Sequence, residues 1–445
     1  MASEATWNPG LWMAAGGQLP PGWKLVPFAD LLESPKSIAV GVMYPGDHVH
    51  DGIPLVRVGD VHEGGVITEP QMRVSAQVHH EYRRTELRGD ELLITLVGKP
   101  GACIIARPQM RGWNVARALA VVRLQTPSLR PYVKAVLESS VMKSIILGML
   151  NTTVQPTLNL KEIKSLPVPL PEDEKIGGSI GGVSELFNQR IDLLRQTNAT
   201  LESIAQALFR SWFIDFDPVR AKQAGREPEG MDAATAALFP AEFEESAPGL
   251  IPKGWKVGTV RDVCSIYDSR RVPLSGKDRA TRRGPYPYYG AAALMDYVDD
   301  FLFDGVYLLL GEDGSVTNAN GTPVTQYVWG KFWVNNHAHV LQGANGICTE
   351  HLMLGLRDVD FTPYVTGAVQ AKLNQANLFR VPFLISTLEA SKAFESEVAP
   401  LYEKLRSNLE QIQMLAEIRD TLLPRLISGK LRLPEAQEQL EDALA

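Results

Sequence analysis

Two stretches of the chain carry apolar or small residues at spacings that alternate between three and four. The first, from Val183 to Trp212, places Val183, Phe187, Ile191, Leu194, Leu201, Ala205 and Leu208 on this rhythm. The second does so with Phe394, Val398, Leu401, Leu405, Ile412, Leu415, Leu422 and Leu426. Such spacing lines side chains along one stripe of an α-helix, and a repeat near 3.5 residues is the seam of a coiled coil. About thirty helical residues span roughly 45 Å. The two predicted helices are similar in length and each follows a globular part. The pattern therefore predicts that they pair antiparallel, with Ile191, Leu194, Leu201 and Leu208 on one side and Leu405, Ile412, Leu415 and Leu422 on the other. The alternative is that each helix packs only on its own domain.

The rest alternates short β-like runs with glycine, proline and aspartate turns, as in Ile53–Val58, Ala118–Arg123 and Val324–Trp329, which reads as a strand-rich mixed core. These parts repeat. Pro20, Gly22, Trp23 and Lys24 recur 232 positions later as Pro252, Gly254, Trp255 and Lys256. Val154-Gln155, Leu158-Asn159 and Leu166-Pro167 recur at an offset of 215 as Val369-Gln370, Leu373-Asn374 and Val381-Pro382. Leu201, Ile204, Leu208 and Phe209 recur at 214 as Leu415, Ile418, Leu422 and Leu423. A looser echo sets Leu92–Gly98 beside Tyr307–Gly311. Ordered matches at nearly constant offset are the mark of an internal duplication. The predicted fold is α+β: two similar strand-rich domains separated by two long antiparallel coiled-coil helices about a pseudo-twofold. Its expected parts are an N-terminal extension (1–19), a first domain (20–170), a central helix (171–215), a linker (216–250), a second domain (251–385), a closing helix (386–433) and a tail (434–445).

Charge changes this picture locally. The net charge of −7 argues against a nucleic-acid binder, because DNA affinity rests on lysine and arginine meeting phosphates. Much of the acid, however, lies between residues 151 and 246, where nine basic residues face fifteen acidic ones. In the second domain Arg270, Arg271, Lys277, Arg279, Arg282 and Arg283 fall within fourteen residues and precede Tyr288. Clustered arginines suit phosphates and the acceptor edge of guanine, and tyrosine adds hydrogen bonds and stacking. In the first domain Arg83, Arg84, Lys99, Arg111 and Arg117 are the corresponding DNA-contact candidates. The glycine turns Gly98–Gly101 and Gly311–Gly314 are expected at equivalent places.

Catalytic signals are weak. The chain contains no GxxxxGK[ST] loop and no dinucleotide fingerprint. Gly177–Gly182 reads as a flexible hinge rather than a phosphate loop. His337 and His339 share a strand face without an evident third metal ligand, and His79-His80 reads as an exposed pair. Asp215 and Asp217 precede Pro218 at a helix end and read as a stop signal. No catalytic residue and no metal site is expected. Cys103, Cys264 and Cys348 form no CxxC pair, which fits a reducing compartment. With neither a long apolar run nor a secretory signal at the start, the expected location is the cytoplasm.

Three segments resemble one family. Leu208–Lys222 (LFRSWFIDFDPVRAK) is similar to the end of the central helix of type I restriction-modification specificity subunits. Ala237–Phe243 with Ile251–Trp255 is similar to the entry into their second recognition domain, and Ile418–Leu431 to their closing helix. The resemblance runs from about Gln18 to Leu433. It implies two target-recognition domains, each reading half of an asymmetric bipartite site in double-stranded DNA, on helices that dock two modification (methyltransferase) subunits, with restriction (endonuclease and translocase) subunits joining for cleavage. S-adenosylmethionine, ATP and magnesium would then belong to those partners and no cofactor to this chain. A heptad added to the central helix is expected to lengthen the unread DNA spacer. The alternatives are the specificity part of another DNA-modification or phage-defence system, an enzyme with an unrecognised site, and a scaffold that never touches DNA.

Overall fold

The computed structural model describes residues 7–61, 69–150, 156–247, 249–367 and 370–435. Val154, Gln155 and Val369 of the repeated motif, and most of the tail, lie outside the described residues. The chain divides into two compact units: one built from residues 1–195 and 410–445, the other from 196–409.

In the first unit, β1 (Trp23–Pro27) pairs antiparallel with β9 (Pro167–Pro171). Strands β2 (Ile38–Val40), β8 (Leu119–Val122), β5 (Leu92–Thr95) and β6 (Cys103–Ile105) form a four-stranded sheet in the order β2-β8-β5-β6. A smaller sheet runs β4-β3-β7, from β3 (Ile53–Val56), β4 (Arg73–Val74) and β7 (Asn114–Val115). Every residue of β5 and β8 is buried, which is why these strands read as unbroken apolar runs rather than alternating ones.

The second unit repeats this plan after a hairpin of β10 (Phe243–Ser246) and β11 (Gly249–Pro252). β12 (Lys256–Thr259) pairs with β21 (Pro382–Ile385) as β1 does with β9. Strands β13 (Cys264–Ile266), β20 (Ala338–Gly343), β17 (Tyr307–Gly311) and β18 (Thr325–Val328) form the sheet β13-β20-β17-β18. Strands β14 (Tyr286–Tyr289), β15 (Leu294–Val298), β16 (Phe303–Asp304) and β19 (Lys331–Val334) form the sheet β15-β14-β19-β16. The correspondence holds residue by residue. Leu92 lies opposite Val122 as Leu308 lies opposite Leu341, and Thr95 opposite Leu119 as Gly311 opposite Ala338. The parallel pairs match too: Val56 with Val115, and Tyr289 with Val334. Even an irregular bond recurs, Leu158 N–H to the Leu96 carbonyl (2.9 Å) and Leu373 N–H to that of Glu312 (2.8 Å). This register corrects the loosest sequence echo: Gly98, at φ 81°, corresponds to Gly314, at φ 79°, and not to Gly311.

The two long helices span Glu174–Phe213 and Leu388–Ile427, each of 40 residues. Both contribute to both units. In the second unit the central helix runs antiparallel to the closing helix. Asn198 meets Asn408 and the Leu405 carbonyl, while Trp212, further along, meets Phe394 at 5.7 Å between rings. In the first unit Arg419 donates to the Asn188 side-chain oxygen at 2.9 Å.

Three expectations are corrected. Gly177–Gly182 is no hinge: it lies inside the central helix, where a Cβ on Gly181 would stand 2.4 Å from the Tyr132 backbone nitrogen, so its glycine permits close helix packing. Residues 216–250, expected as linker, are folded. They carry short helices at Asp217–Gln223 and Ala233–Ala237, and Val219 and Phe239 join Trp212, Phe213, Ile251 and Trp255 in one core. The N-terminal extension reaches the first unit's core through Trp12, 2% exposed, whose indole N–H donates to the Gln18 carbonyl. The stop signal acts as read. The central helix ends at Phe213, Phe216 turns through the left-handed region at φ 55°, and Pro218 opens the next helix. Among the described residues no helix is long and apolar enough to cross a membrane.

Candidate nucleic-acid interface

The helix positions singled out above lie in the two apolar clusters the helices share with their domains. Ile191, Leu194, Leu415 and Leu422 are buried in the first unit's cluster, with Ile412 packed against it. Leu405 is buried in the second unit's cluster, with Leu201 and Leu208 packed against it. Within that seam Asn408 and Asn198 are buried, and their side chains bond at 2.8 Å. A polar pair in an apolar seam fixes register, since any shift leaves both amides unpaired.

In the first unit all five cationic candidates are exposed. Arg83 and Arg84 sit on a short turn after the helix Ala76–Glu81, which carries the His79-His80 pair. His79 is drawn against Glu86 at 3.5 Å. Arg111 donates to the Arg88 carbonyl at 3.2 Å. Lys99 lies in the turn between Gly98 and Gly101, both at positive φ. Arg117 occupies the turn between β7 and β8, on the rim of a cleft of about 490 Å³ lined by Val40, Leu96, Val97, Ala118 and Asn159.

The second unit's basic run is largely consumed internally, which corrects several candidates. Tyr288 is 1% exposed; its hydroxyl accepts from Leu274 N–H at 3.0 Å and its ring carries the Arg279 guanidinium at 5.1 Å. Arg279 is held by Asp296 at 3.2 Å. Arg282 is held by Asp299 at 2.9 Å and lies over Trp333. Arg271 bridges Glu312 (2.7 Å) and Asp268 (3.4 Å) and donates to the Ala338 carbonyl. Arg270 stays exposed while donating to the Leu302 carbonyl over the Phe303 ring. Lys277 and Arg283 remain exposed.

The sequence missed one cluster. Asp268, Glu312 and His339, far apart in the chain, bring ligand-type atoms within 4.8 Å of one another. These are not free metal donors. His339 is 1% exposed, with Nδ1 2.6 Å from Asp268 and Nε2 2.8 Å from the Leu373 carbonyl, so both ring nitrogens are engaged. Arg271 already supplies the cation between the two carboxylates. His337, the other member of the sequence pair, stands apart beside Asp313 at 3.6 Å. The register explains why no sequence pattern announced the cluster: its equivalents in the first unit are Val40, Leu96 and Ala120, all apolar. The thiols give no nucleophile. Burial pushes Cys264 and Cys348 up to about 12 and Cys103 higher still.

Two copies of one α+β domain, each with exposed cations on its turns and each served by half of a long helix pair, define a protein of duplicated architecture. Comparison with known proteins shows what the chain is similar to. Residues 252–411 match the type I restriction modification DNA specificity domain. The chain is 26% identical over 339 residues to the type I restriction enzyme HindI specificity subunit of Haemophilus influenzae, covering 62% of this chain and 71% of that one. It is 27% identical over 238 residues to the EcoBI specificity subunit of Escherichia coli, covering 52% and 50%. The fold is that of the type I restriction-modification S subunit from M. genitalium, with a TM-score of 0.56 at 14% identity over 91% of this chain and 96% of the other. These similarities agree with the resemblance to the specificity subunits of type I restriction-modification systems read from the sequence.

Proposed function

We propose that this chain chooses the DNA sequence for a type I restriction-modification complex and catalyses nothing itself. Each domain reads one half of an asymmetric bipartite site in duplex DNA. Methyltransferase subunits dock on the long helices, restriction subunits join them, and S-adenosylmethionine, ATP and magnesium are held by those partners. The observation that carries this reading is the duplication: one backbone, matched bond for bond, presents different exposed side chains on corresponding turns. A single reading head made twice and varied at its surface suits a target with two unlike halves. Exposed cations, Arg83, Arg84 and Arg117 in one unit and Lys277 and Arg283 in the other, supply phosphate and base contacts.

Docking is supported by large apolar side chains left in solvent on the central helix. These include Leu186 (67% exposed) in the first unit, and Ile204 and, just past the helix end, Ile214 in the second. The test is methyl transfer from labelled S-adenosylmethionine to duplex DNA with purified subunits. The methyltransferase subunits with this chain are expected to label DNA in a salt-sensitive way; the chain alone is expected to label none. Labelling by the chain alone would make it an enzyme, and a complex that binds DNA with no salt dependence would leave it a scaffold.

A further inference from the structure

One position in each domain has the properties of a base-reading side chain. It is found through the repeat rather than through charge. The pairs Val56–Val115 and Tyr289–Val334 place Val115 and Val334 at corresponding positions. The pairs Thr95–Leu119 and Gly311–Ala338 do the same for Leu119 and Ala338. Both ladders give one offset of 219, so Arg117 and Asn336 correspond. A third match agrees: Ala116 N–H donates to the Val56 carbonyl at 2.8 Å, and Asn335 N–H to that of Tyr289 at 3.1 Å.

Both residues lie in the turn that carries the chain from the smaller sheet into the larger. Both are exposed, and neither side chain has a partner among the described residues. The backbone beneath them is held firmly. Arg117 N–H donates to the Val42 carbonyl at 2.9 Å; in the second domain the Asn335 side chain accepts from His337 N–H at 2.8 Å. A free side chain on a rigid turn is the arrangement that specific recognition needs. The cleft beside Arg117 is apolar, lined by Val40, Leu96 and Val97; the corresponding positions hold Asp268, Glu312 and Asp313. The backbone is therefore kept while the chemistry around this turn changes between domains.

The two residue types have distinct preferences. An arginine fork matches O6 and N7 of guanine in the major groove, and an asparagine amide matches N6 and N7 of adenine. We infer that Arg117 reads a guanine in the first domain's half-site and Asn336 an adenine in the second's. This rests on the DNA-reading function proposed above. Arg83 and Lys277, which carry charge without this placement, are left to the phosphates.

The test is methylome sequencing of strains in which the intact complex carries this chain as wild type, R117A, R117N or N336A. R117A is expected to lower discrimination at one guanine of one half-site by on the order of ten- to a hundred-fold, leaving the other half unchanged. R117N is expected to shift that letter towards adenine, and N336A to relax one adenine in the opposite half. If every letter of the motif survives in all three variants, the inference is wrong while site-specific methylation by the complex leaves the DNA-reading function intact. If wild-type methylation does not depend on this chain, that function fails as well. Should R117A abolish methylation, binding of the purified complex to duplexes differing only at that guanine decides: preserved discrimination overturns the inference, lost discrimination supports it.

Discussion

His351 should make the second unit acid-sensitive by an amount that follows from its surroundings. The side chain is 1% exposed, and the rings of Phe213, Phe394, Phe209 and Phe383 stand 4.4, 4.9, 5.7 and 5.9 Å away. Its Nδ1 has no hydrogen-bond partner among the described residues. A charged imidazolium there would lose its hydration with nothing in exchange, so burial pushes the group down from 6.5 to about 3. The folded chain refuses a proton that the unfolded chain accepts. This contribution to stability is therefore complete above about pH 6.5 and is lost as pH falls from there towards 3. At pH 5 the loss is about 2 kcal/mol, or a urea midpoint lower by about 1 M for a slope near 2 kcal/mol per M. Carboxylates titrate in the same range, so the measurement is a comparison with His351→Phe, which carries them all. Exchanging the ring shifts stability by an amount independent of pH. The expected result is a wild-type minus H351F difference that moves against wild type by about 2 kcal/mol between pH 7.5 and 5. Parallel curves for the two proteins would refute the buried neutral imidazole.

Other variants probe the packing that positions the domains' turns. Asn408→Leu should cost about 1–3 kcal/mol by leaving the Asn198 oxygen unpaired, and N198L/N408L should recover most of it; a thermodynamic cycle from urea melts showing simple additivity would count against the seam pair. Gly181→Ala should destabilise by about 1–3 kcal/mol through its clash with Tyr132, whereas Gly182→Ala, with nothing within 4 Å of its Cβ, should stabilise by up to about 1 kcal/mol; thermal melting separates the two. Trp12→Ala should cost about 3–5 kcal/mol by emptying part of the first core, and an unchanged melting temperature would return residues 7–19 to the status of an extension.

The duplication and the helix pair were legible because they are written in the kind of signal a sequence carries well: period and offset. The offsets of 232 and 215 reappear as Pro27 matching Thr259 and Pro167 matching Pro382 in the terminal strand pairs. What sequence could not show was which arginines remain available. Arg271, Arg279 and Arg282 read as a DNA-facing run, but their acidic partners Glu312, Asp296 and Asp299 come from other strands and turns, and Tyr288 faces inward on β14. The cluster at His339 was hidden for the same reason. Residues 216–250 looked like linker because their composition is polar; a few residues, Val219 and Phe239 with Leu238 and Phe243 beside them, are enough to fold them onto Trp212 and Trp255. Gly177–Gly182 looked loose because glycine favours flexibility in isolation, while a neighbouring backbone at Tyr132 demands it for contact. Arg117 was legible only as one scattered cation; its significance came from the register that pairs it with Asn336.

The DNA-choosing role of this chain is tested most directly by one measurement: the methylome of a host carrying the methyltransferase subunits, with this chain present, deleted, or with residues 251–385 exchanged for those of a relative. Methylation is expected at an asymmetric motif of two parts separated by unspecified bases, to vanish on deletion, and to change in one part only on exchange. Methylation that persists without the chain, or an exchange that rewrites both parts or neither, would contradict it.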